Sequence, residues 1–118
     1  LLILDTKADA EDHVTTDLKI YDIEAGRTDI IVTDARIDVF CFGSDGKVYY
    51  TEDAGEQAVD GYPYALYVCD PAAGYAPKLV ALSSTPEMAA GGGKLYFIRY
   101  IGEGDRGFFA TYIYDPSA

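Results

Sequence analysis

The sequence predicts an all-β protein built from β-propeller blades, each a four-stranded antiparallel meander. Hydrophobic residues make up 49% of its 118 positions, and most of the eleven tyrosines lie in aromatic and β-branched runs that favour strands. Two phrases recur at spacings of 45 to 48 residues, which is a typical length for one blade. Several of the predicted strands are apolar on both faces, so their sheets must be covered on both sides, and neighbouring repeats are the natural cover.

The first repeated phrase occurs three times, as DLKIYDIEAG, ALYVCDPAAG and ATYIYDPSA, and it aligns Asp22, Asp70 and Asp115. The second occurs twice, as GSDGKVYYTED and GGGKLYFIRY, and it aligns Lys47 with Lys94. Two unrelated phrases with nearly the same period indicate an internal structural repeat.

The best-preserved unit predicts four strands, over residues 37–42, 47–51, 64–69 and 78–82. The Asp-Gly pair at 45–46 supplies the positive φ that a tight hairpin needs between the first two strands. Asp70 followed by Gly74 suits a type I turn closed by a left-handed glycine, and Asp22 with Gly26 repeats that arrangement.

This pattern divides the chain into a partial blade over 1–34, a complete blade over 35–82 and a partial blade over 83–118. The total is about two and a half blades, whereas closed propellers typically have four to eight. We therefore expect the chain to be part of a larger propeller, closed by the rest of a longer chain or by further copies. An open stack of sheets is the remaining alternative.

The pairing of a DGK-hydrophobic-YY phrase with an LYVxDPxxG phrase resembles the repeats of TolB-like and related bacterial propeller domains, many of them of uncharacterised function. The resemblance covers most of the chain, but its motifs mark turns rather than chemistry. It implies a fold and leaves the function open. The second copy departs from the pattern, because three glycines at 91–93 replace the Ser-Asp-Gly turn.

Charge excludes some partners. Nine basic and twenty acidic residues give a net charge of -11, which repels phosphate backbones and anionic lipid headgroups, so we expect no nucleic-acid partner. No apolar run approaches the roughly 20 residues of a membrane helix, so no membrane insertion is expected. The two cysteines do not decide the compartment; our expectation is an extracytoplasmic or cell-surface location in a bacterium.

The acidic residues gather on one predicted rim. Long loops are expected over residues 5–17, 52–64 and 101–108, and these hold eleven of the twenty carboxylates. Loops on a rigid scaffold are common binding sites, so this rim suits a cation, a basic peptide or a hydroxyl-rich sugar. The alternative is a solvated charged surface that keeps a β-rich protein soluble. The predicted contact residues lie in or beside the second loop: Asp53, Glu56, Asp60, Tyr62 and Tyr64.

Metal and cofactor signals are weak. Asp5, Asp9 and Asp12 offer oxygen ligands for calcium, but the EF-hand spacing is not met, so we expect no metal and no cofactor. Cys41 and Cys69 are predicted on strands that one other strand separates, about 9.6 Å apart. That distance exceeds the roughly 7 Å limit for a disulfide, so we expect free, buried thiols.

No catalytic signature stands out. A G-x-S-x-G elbow is missing, the only histidine is His13 in a predicted loop, and GGGK at 91–94 lacks the Walker spacing. We therefore expect a non-catalytic binding or protein-interaction module whose partner is a protein, a peptide or a glycan. The alternatives are a glycan-active propeller hydrolase, with Asp38 as the candidate acid, a propeller that gates a peptidase, and a structural spacer.

Overall fold

The computed structural model is all-β, with ten strands in three antiparallel sheets. It describes residues 1–8, 10–11, 13–43, 46–59, 61–103 and 105–115. Across these residues the only helical elements are two one-turn 3-10 helices, at Gly55–Gln57 and Pro71–Ala73, and no helix has the length and apolarity to cross a membrane.

The strands follow one another along the chain, and each sheet is a meander. The first sheet holds β1 (Leu2–Ala8), β2 (Val14–Asp22) and β3 (Arg27–Ala35) in that order. The middle sheet holds β4 (Ile37–Phe42), β5 (Val48–Asp53), β6 (Tyr64–Cys69) and β7 (Pro77–Ser83). The third sheet holds β8 (Met88–Gly91), β9 (Lys94–Glu103) and β10 (Arg106–Tyr114). The prediction of an all-β fold of antiparallel sheets is thus confirmed, with four strands in the middle sheet and three in each of the others, and the sheets do not close into a ring.

Two turns share one local design. Between β6 and β7, the Asp70 carboxylate accepts a hydrogen bond from the Ala72 N–H at 2.9 Å, and Gly74 adopts φ 68°. Between β2 and β3, the Asp22 carboxylate accepts from Glu24 and Ala25 N–H groups, and Gly26 adopts φ 64°. The aspartate satisfies the backbone donors of the turn, and the glycine supplies the left-handed conformation that closes it.

The middle sheet is covered by the first sheet on one face and by the third sheet on the other. Successive side chains of its strands point to opposite faces, so neighbouring residues pack in different cores. On β5, Val48 and Tyr50 face the first sheet, while Tyr49 between them faces the third sheet. The core against the first sheet is built on the buried residues Leu18, Val32, Ala35, Ile37, Val48, Tyr50 and Cys69. The core against the third sheet is built on Tyr49, Leu66, Leu95 and Phe97.

Polar groups also connect the sheets. The buried Thr16 hydroxyl of β2 accepts a hydrogen bond from the Ile37 N–H of β4 at 3.1 Å and donates to the Ala35 carbonyl at 3.3 Å. On the other side, the Thr51 hydroxyl of β5 donates to the Pro86 carbonyl at 2.8 Å. These bonds satisfy hydroxyls that packing removes from water, so they favour one alignment of the sheets over others.

The two cysteines lie on opposite faces of the middle sheet. Cys69 belongs to the core against the first sheet, and Cys41 packs beside the core against the third. Both thiols are free; Cys69 is buried and Cys41 is half-buried. Burial raises the pKa of Cys41, and it raises the pKa of Cys69 to about 11.

The raised pKa of Cys69 predicts that its thiol reacts slowly with alkylating reagents. In a Cys41→Ser variant at pH 8, Cys69 is expected to react with iodoacetamide about two orders of magnitude more slowly in the folded protein than in urea. The reason is that the thiolate is the nucleophile, and a pKa near 11 leaves little of it at pH 8. Equal rates in the folded and unfolded chains would show that this face of the middle sheet is uncovered.

Two of the three predicted long loops were wrong. β1 continues to Ala8 and β2 begins at Val14, so much of the segment 5–17 is a hairpin; β9 likewise continues to Glu103, and β10 begins at Arg106. The reason is that a two-stranded ribbon can extend beyond its packed sheet with both faces exposed, so its residues lack the apolar alternation by which a half-buried strand is predicted. The connection between Asp53 and Tyr64 remains the long loop of this rim.

Candidate functional site

The long connection between β5 and β6 has a built structure. The Asp53 carboxylate accepts a hydrogen bond from the Gly55 N–H at 2.8 Å, beside the one-turn helix Gly55–Gln57. The base of the loop is closed by the Ala54 N–H, which donates to the Pro63 carbonyl at 2.8 Å. Tyr62 lies on the returning side of the loop, next to Pro63, and its N–H donates to the Val59 carbonyl at 2.7 Å.

Ser84, just after β7, connects this loop to the third sheet. Its hydroxyl donates to the Gly61 carbonyl at 2.7 Å and accepts from the Tyr100 N–H at 2.7 Å. Its own N–H donates to the Ile98 carbonyl at 2.9 Å. One serine therefore joins the loop of the middle sheet to β9 through three hydrogen bonds.

Arg99 of β9 lies among three aromatic rings. Its guanidinium carbon is 4.9 Å from the centre of the Tyr62 ring, 5.0 Å from that of Tyr112 and 5.6 Å from that of Phe97. Arg99 Nε donates to the Leu82 carbonyl at 2.8 Å, which holds the side chain against the middle sheet. Cation–π contacts of this kind are worth about 0.5 to 2 kcal/mol each, so they order the rings as well as the arginine.

These contacts form one wall of an open cleft, which we name the Tyr62 cleft. Its volume is about 670 Å³. It is lined by Gly61, Tyr62, Tyr100, Ile101, Gly102, Glu103 and Tyr112. Tyrosine rings offer apolar faces and hydroxyls, glycines leave backbone groups accessible, and Glu103 adds a carboxylate. This set suits a ligand with both apolar surface and hydroxyl or amide groups.

The structure distributes the predicted contact residues unevenly. Tyr62 lines the cleft and is half-buried. Tyr64 is half-buried at the start of β6, where it pairs with Asp53 across the sheet. Glu56 is exposed on the one-turn helix, and Asp53 is exposed but occupied by its bond to Gly55. Asp60 lies outside the described residues.

Part of the acidic charge on this rim is neutralised by lysines. Lys7 Nζ lies 3.1 Å from an Asp17 carboxylate oxygen and 2.7 Å from one of Asp34, while Lys19 pairs with Asp5. Hydrogen bonds from the Asp34 N–H and from Lys7 lower the pKa of Asp17. The carboxylates of the first sheet are therefore largely engaged, and the rim around the Tyr62 cleft keeps Glu56 and Glu103 exposed.

The residues considered as calcium ligands are only partly among the described residues. Asp5 lies on β1, where its carboxylate pairs with Lys19. Asp9 and Asp12 lie outside the described residues. Among the residues that are described, no group of three or more His, Cys, Asp or Glu side chains is arranged to hold a metal ion.

Asp38, the candidate acid of the hydrolase alternative, is exposed on β4 next to an irregularity in its pairing with β5. Partial burial raises its pKa, and the nearby charge of Asp53 raises it further. A raised carboxyl pKa suits a general acid, but a glycosidase also needs a second carboxylate across the scissile bond.

Sequence reasoning missed Arg99, Tyr100 and Tyr112 as residues of the site. Both tyrosines lie in aromatic runs that predicted strands, and no motif singled out Arg99. One signal was available: in KLYFIRY, Arg99 follows Leu95 and Phe97 at alternate positions, so it occupies the strand face that packs on the neighbouring sheet. A cation on such a face requires partners, here three rings and a carbonyl.

No protein-family model, no curated protein and no solved structure matches the chain.

Proposed function

We propose that the three sheets are blades of a β-propeller of the TolB-like kind and that the chain is a non-catalytic binding module. The proposal is supported by the direction in which aligned residues face. Leu18 and Leu66 precede the aligned aspartates by four residues, and each packs on the sheet that follows its own. Val48 and Leu95 follow the aligned lysines, and each packs on the sheet that precedes its own. Successive blades of a propeller stack in this way.

The binding site is the Tyr62 cleft, at the acidic loop rim. The observation that carries this proposal is Tyr62, which a hydrogen-bonded loop of the middle sheet holds against Arg99 of the third sheet. The cleft thus lies between the loop of the middle sheet and the third sheet, which hydrogen bonds and a cation–π contact hold together. The ligand classes that fit its tyrosines and Glu103 are a glycan or a peptide, bound by ring stacking and hydrogen bonds.

Replacing Tyr62 tests the proposal. Arrays of glycans and of basic peptides serve as the probes, and the strongest hit is then titrated against the variants. Tyr62→Ala is expected to weaken binding at least about tenfold, because a ring at the centre of a contact carries much of its energy. Tyr21→Ala is the matched control, since Tyr21 is also half-buried but lies on the first sheet.

The same experiment separates the alternatives. Unchanged binding by Tyr62→Ala, in a variant whose circular dichroism is native, would contradict a site in this cleft. Absence of any hit on both arrays would support a structural spacer. Release of reducing sugar from a bound glycan, abolished in Asp38→Asn, would support the hydrolase alternative.

A further inference from the structure

The β9–β10 ribbon carries exposed apolar side chains on the face that turns toward the Tyr62 cleft. Phe97 and Arg99 of β9 face the middle sheet, and the alternation of a strand places Ile101 on the same face, one step further out. Phe108 of β10 is in register with Ile101, so it shares that face. Ile101, which lines the cleft, is 39% exposed, and Phe108 is 62% exposed. Large apolar side chains that gather beside a cleft indicate a contact surface.

A small residue between two rings gives this face a notch. Phe108, Ala110 and Tyr112 alternate along β10 on the cleft side, and Ala110 is in register with Arg99. Phe108 and Tyr112 are four residues apart, which is about 14 Å along the strand, so their rings leave room for a side chain above Ala110. At the same level, Tyr62 contacts Arg99. Aromatic rings of both the ribbon and the loop therefore border the notch.

The opposite face of the ribbon is braced. Gly107 is in register with Gly102, and the end of the Tyr100 ring lies so close to Gly107 that an added Cβ would clash with it. The Phe109 ring in turn meets Tyr100 edge to face, with centres 5.3 Å apart. These contacts support the ribbon where it extends beyond the packed sheet. Phe108 is thus presented by an ordered strand, which lowers the entropy cost of binding.

The surroundings of the notch are acidic. Segments 52–64 and 101–108, which border the cleft, contain six acidic residues and one basic residue, Arg106. Glu103 lines the cleft and lies on the same face of β9 as Arg99, four residues or about 14 Å further along the strand. Arg99 itself contacts three aromatic rings. A ligand cation is therefore favoured at the Glu103 end, and an uncharged group is favoured beside Arg99.

These features favour a peptide over a glycan. A sugar ring carries hydroxyls around its edge that need hydrogen-bond partners, and the side chains of Ile101, Phe108 and Ala110 offer none. A peptide instead supplies apolar and basic side chains at a fixed spacing. In an extended peptide, residues two positions apart point to the same side and lie about 7 Å from each other. The length of a lysine or arginine side chain covers the remaining distance from the notch to Glu103.

We propose that the ligand of the Tyr62 cleft is an extended peptide segment in which a large apolar residue lies two positions from a lysine or arginine. The apolar side chain packs in the notch between Phe108 and Tyr112, and the basic group pairs with Glu103. This inference rests on the proposed function, because it names the ligand class of the same site.

Selection of a random linear peptide library on the wild-type chain tests the proposal, and the consensus peptide is then titrated against variants. The expected consensus holds the apolar and basic residues at the stated spacing. Phe108→Ala is expected to weaken its binding at least about tenfold, because the lost ring forms one side of the notch. Ile113→Ala is the matched control, since Ile113 is 60% exposed on the same strand but faces away from the cleft. Its affinity is expected to stay at the wild-type level.

A double-mutant cycle tests the basic contact. Glu103→Gln is expected to weaken the consensus peptide at least about threefold, and this loss is expected to vanish when the basic residue of the peptide is replaced by alanine. Replacing the apolar residue of the peptide by serine repeats the test of the notch without altering the chain.

The other outcomes separate this inference from the proposed function. If Tyr62→Ala loses binding while Phe108→Ala binds like Ile113→Ala, the cleft is a binding site but the notch is not part of it. A consensus without the apolar and basic pair, or no enrichment of any peptide, also contradicts the inference, and a glycan that binds instead makes the cleft a glycan site. Binding that neither Tyr62→Ala nor Phe108→Ala weakens contradicts both proposals.

Discussion

Leu66→Ala and Tyr50→Ala are each expected to lower the free energy of unfolding by about 2 to 5 kcal/mol. Leu66 is fully buried and faces the third sheet, whereas Tyr50 is 2% exposed and faces the first. Each truncation removes apolar contacts and leaves a cavity that the neighbouring sheet cannot fill by collapse. Tyr50 also loses its stacking on Tyr67, whose ring centre is 5.2 Å away.

Leu79→Ala is the matched control for these two variants, because Leu79 lies on β7 of the same sheet but is 42% exposed. Leu79→Ala is expected to lower the free energy of unfolding by less than about 1 kcal/mol. Urea unfolding monitored by circular dichroism gives all three values. If only one of the two core variants is destabilised, the middle sheet has one wet face, and the stacking of three sheets is wrong.

Gly102→Ala is expected to lower the free energy of unfolding by about 2 kcal/mol or more, because it strains the backbone rather than removing contacts from a core. Gly102 adopts φ 133°, which residues with a side chain rarely adopt, and an added Cβ would lie 2.5 Å from the Arg106 carbonyl oxygen. The β9–β10 hairpin would have to shift to accept the methyl group. Because Gly102 and Glu103 line the Tyr62 cleft, the shift should also weaken ligand binding.

Gly91→Ala is the control for this substitution. Gly91 ends β8, has no positive φ, and has open space where a Cβ would be placed. The methyl group should therefore be neutral or stabilising, by up to about 1 kcal/mol. Similar thermal unfolding of the two variants would contradict the geometry assigned to the β9–β10 hairpin.

The middle sheet could be predicted from sequence because its signals are local. The runs that became β4 and β6 are bounded by turn residues, and Asp70 with Gly74 specifies its turn through one side-chain hydrogen bond and one left-handed residue. Strands that are apolar on both faces predicted covered sheets, and in the middle sheet the adjacent Tyr49 and Tyr50 do lie in different cores.

The ribbon ends and the cleft could not be predicted because they depend on contacts between distant residues. The β1–β2 ribbon is held by ion pairs such as Lys7 with Asp34, 27 residues apart in sequence. The Tyr62 cleft depends on Ser84, which joins a loop of the middle sheet to β9, and on the contact of Tyr62 with Arg99. Composition marks such segments as polar and does not reveal their partners.

The most direct test of the stacked arrangement is a nuclear Overhauser experiment on the adjacent rings of Tyr49 and Tyr50, with the methyl groups of Leu18 and Leu95 as reporters. The two rings belong to different cores, Tyr50 with Leu18 of the first sheet and Tyr49 with Leu95 of the third. The expected result is that, among residues of the other two sheets, Tyr50 shows cross-peaks only to the first sheet and Tyr49 only to the third. Cross-peaks from both rings to the same sheet, or from neither ring to any other sheet, would contradict it.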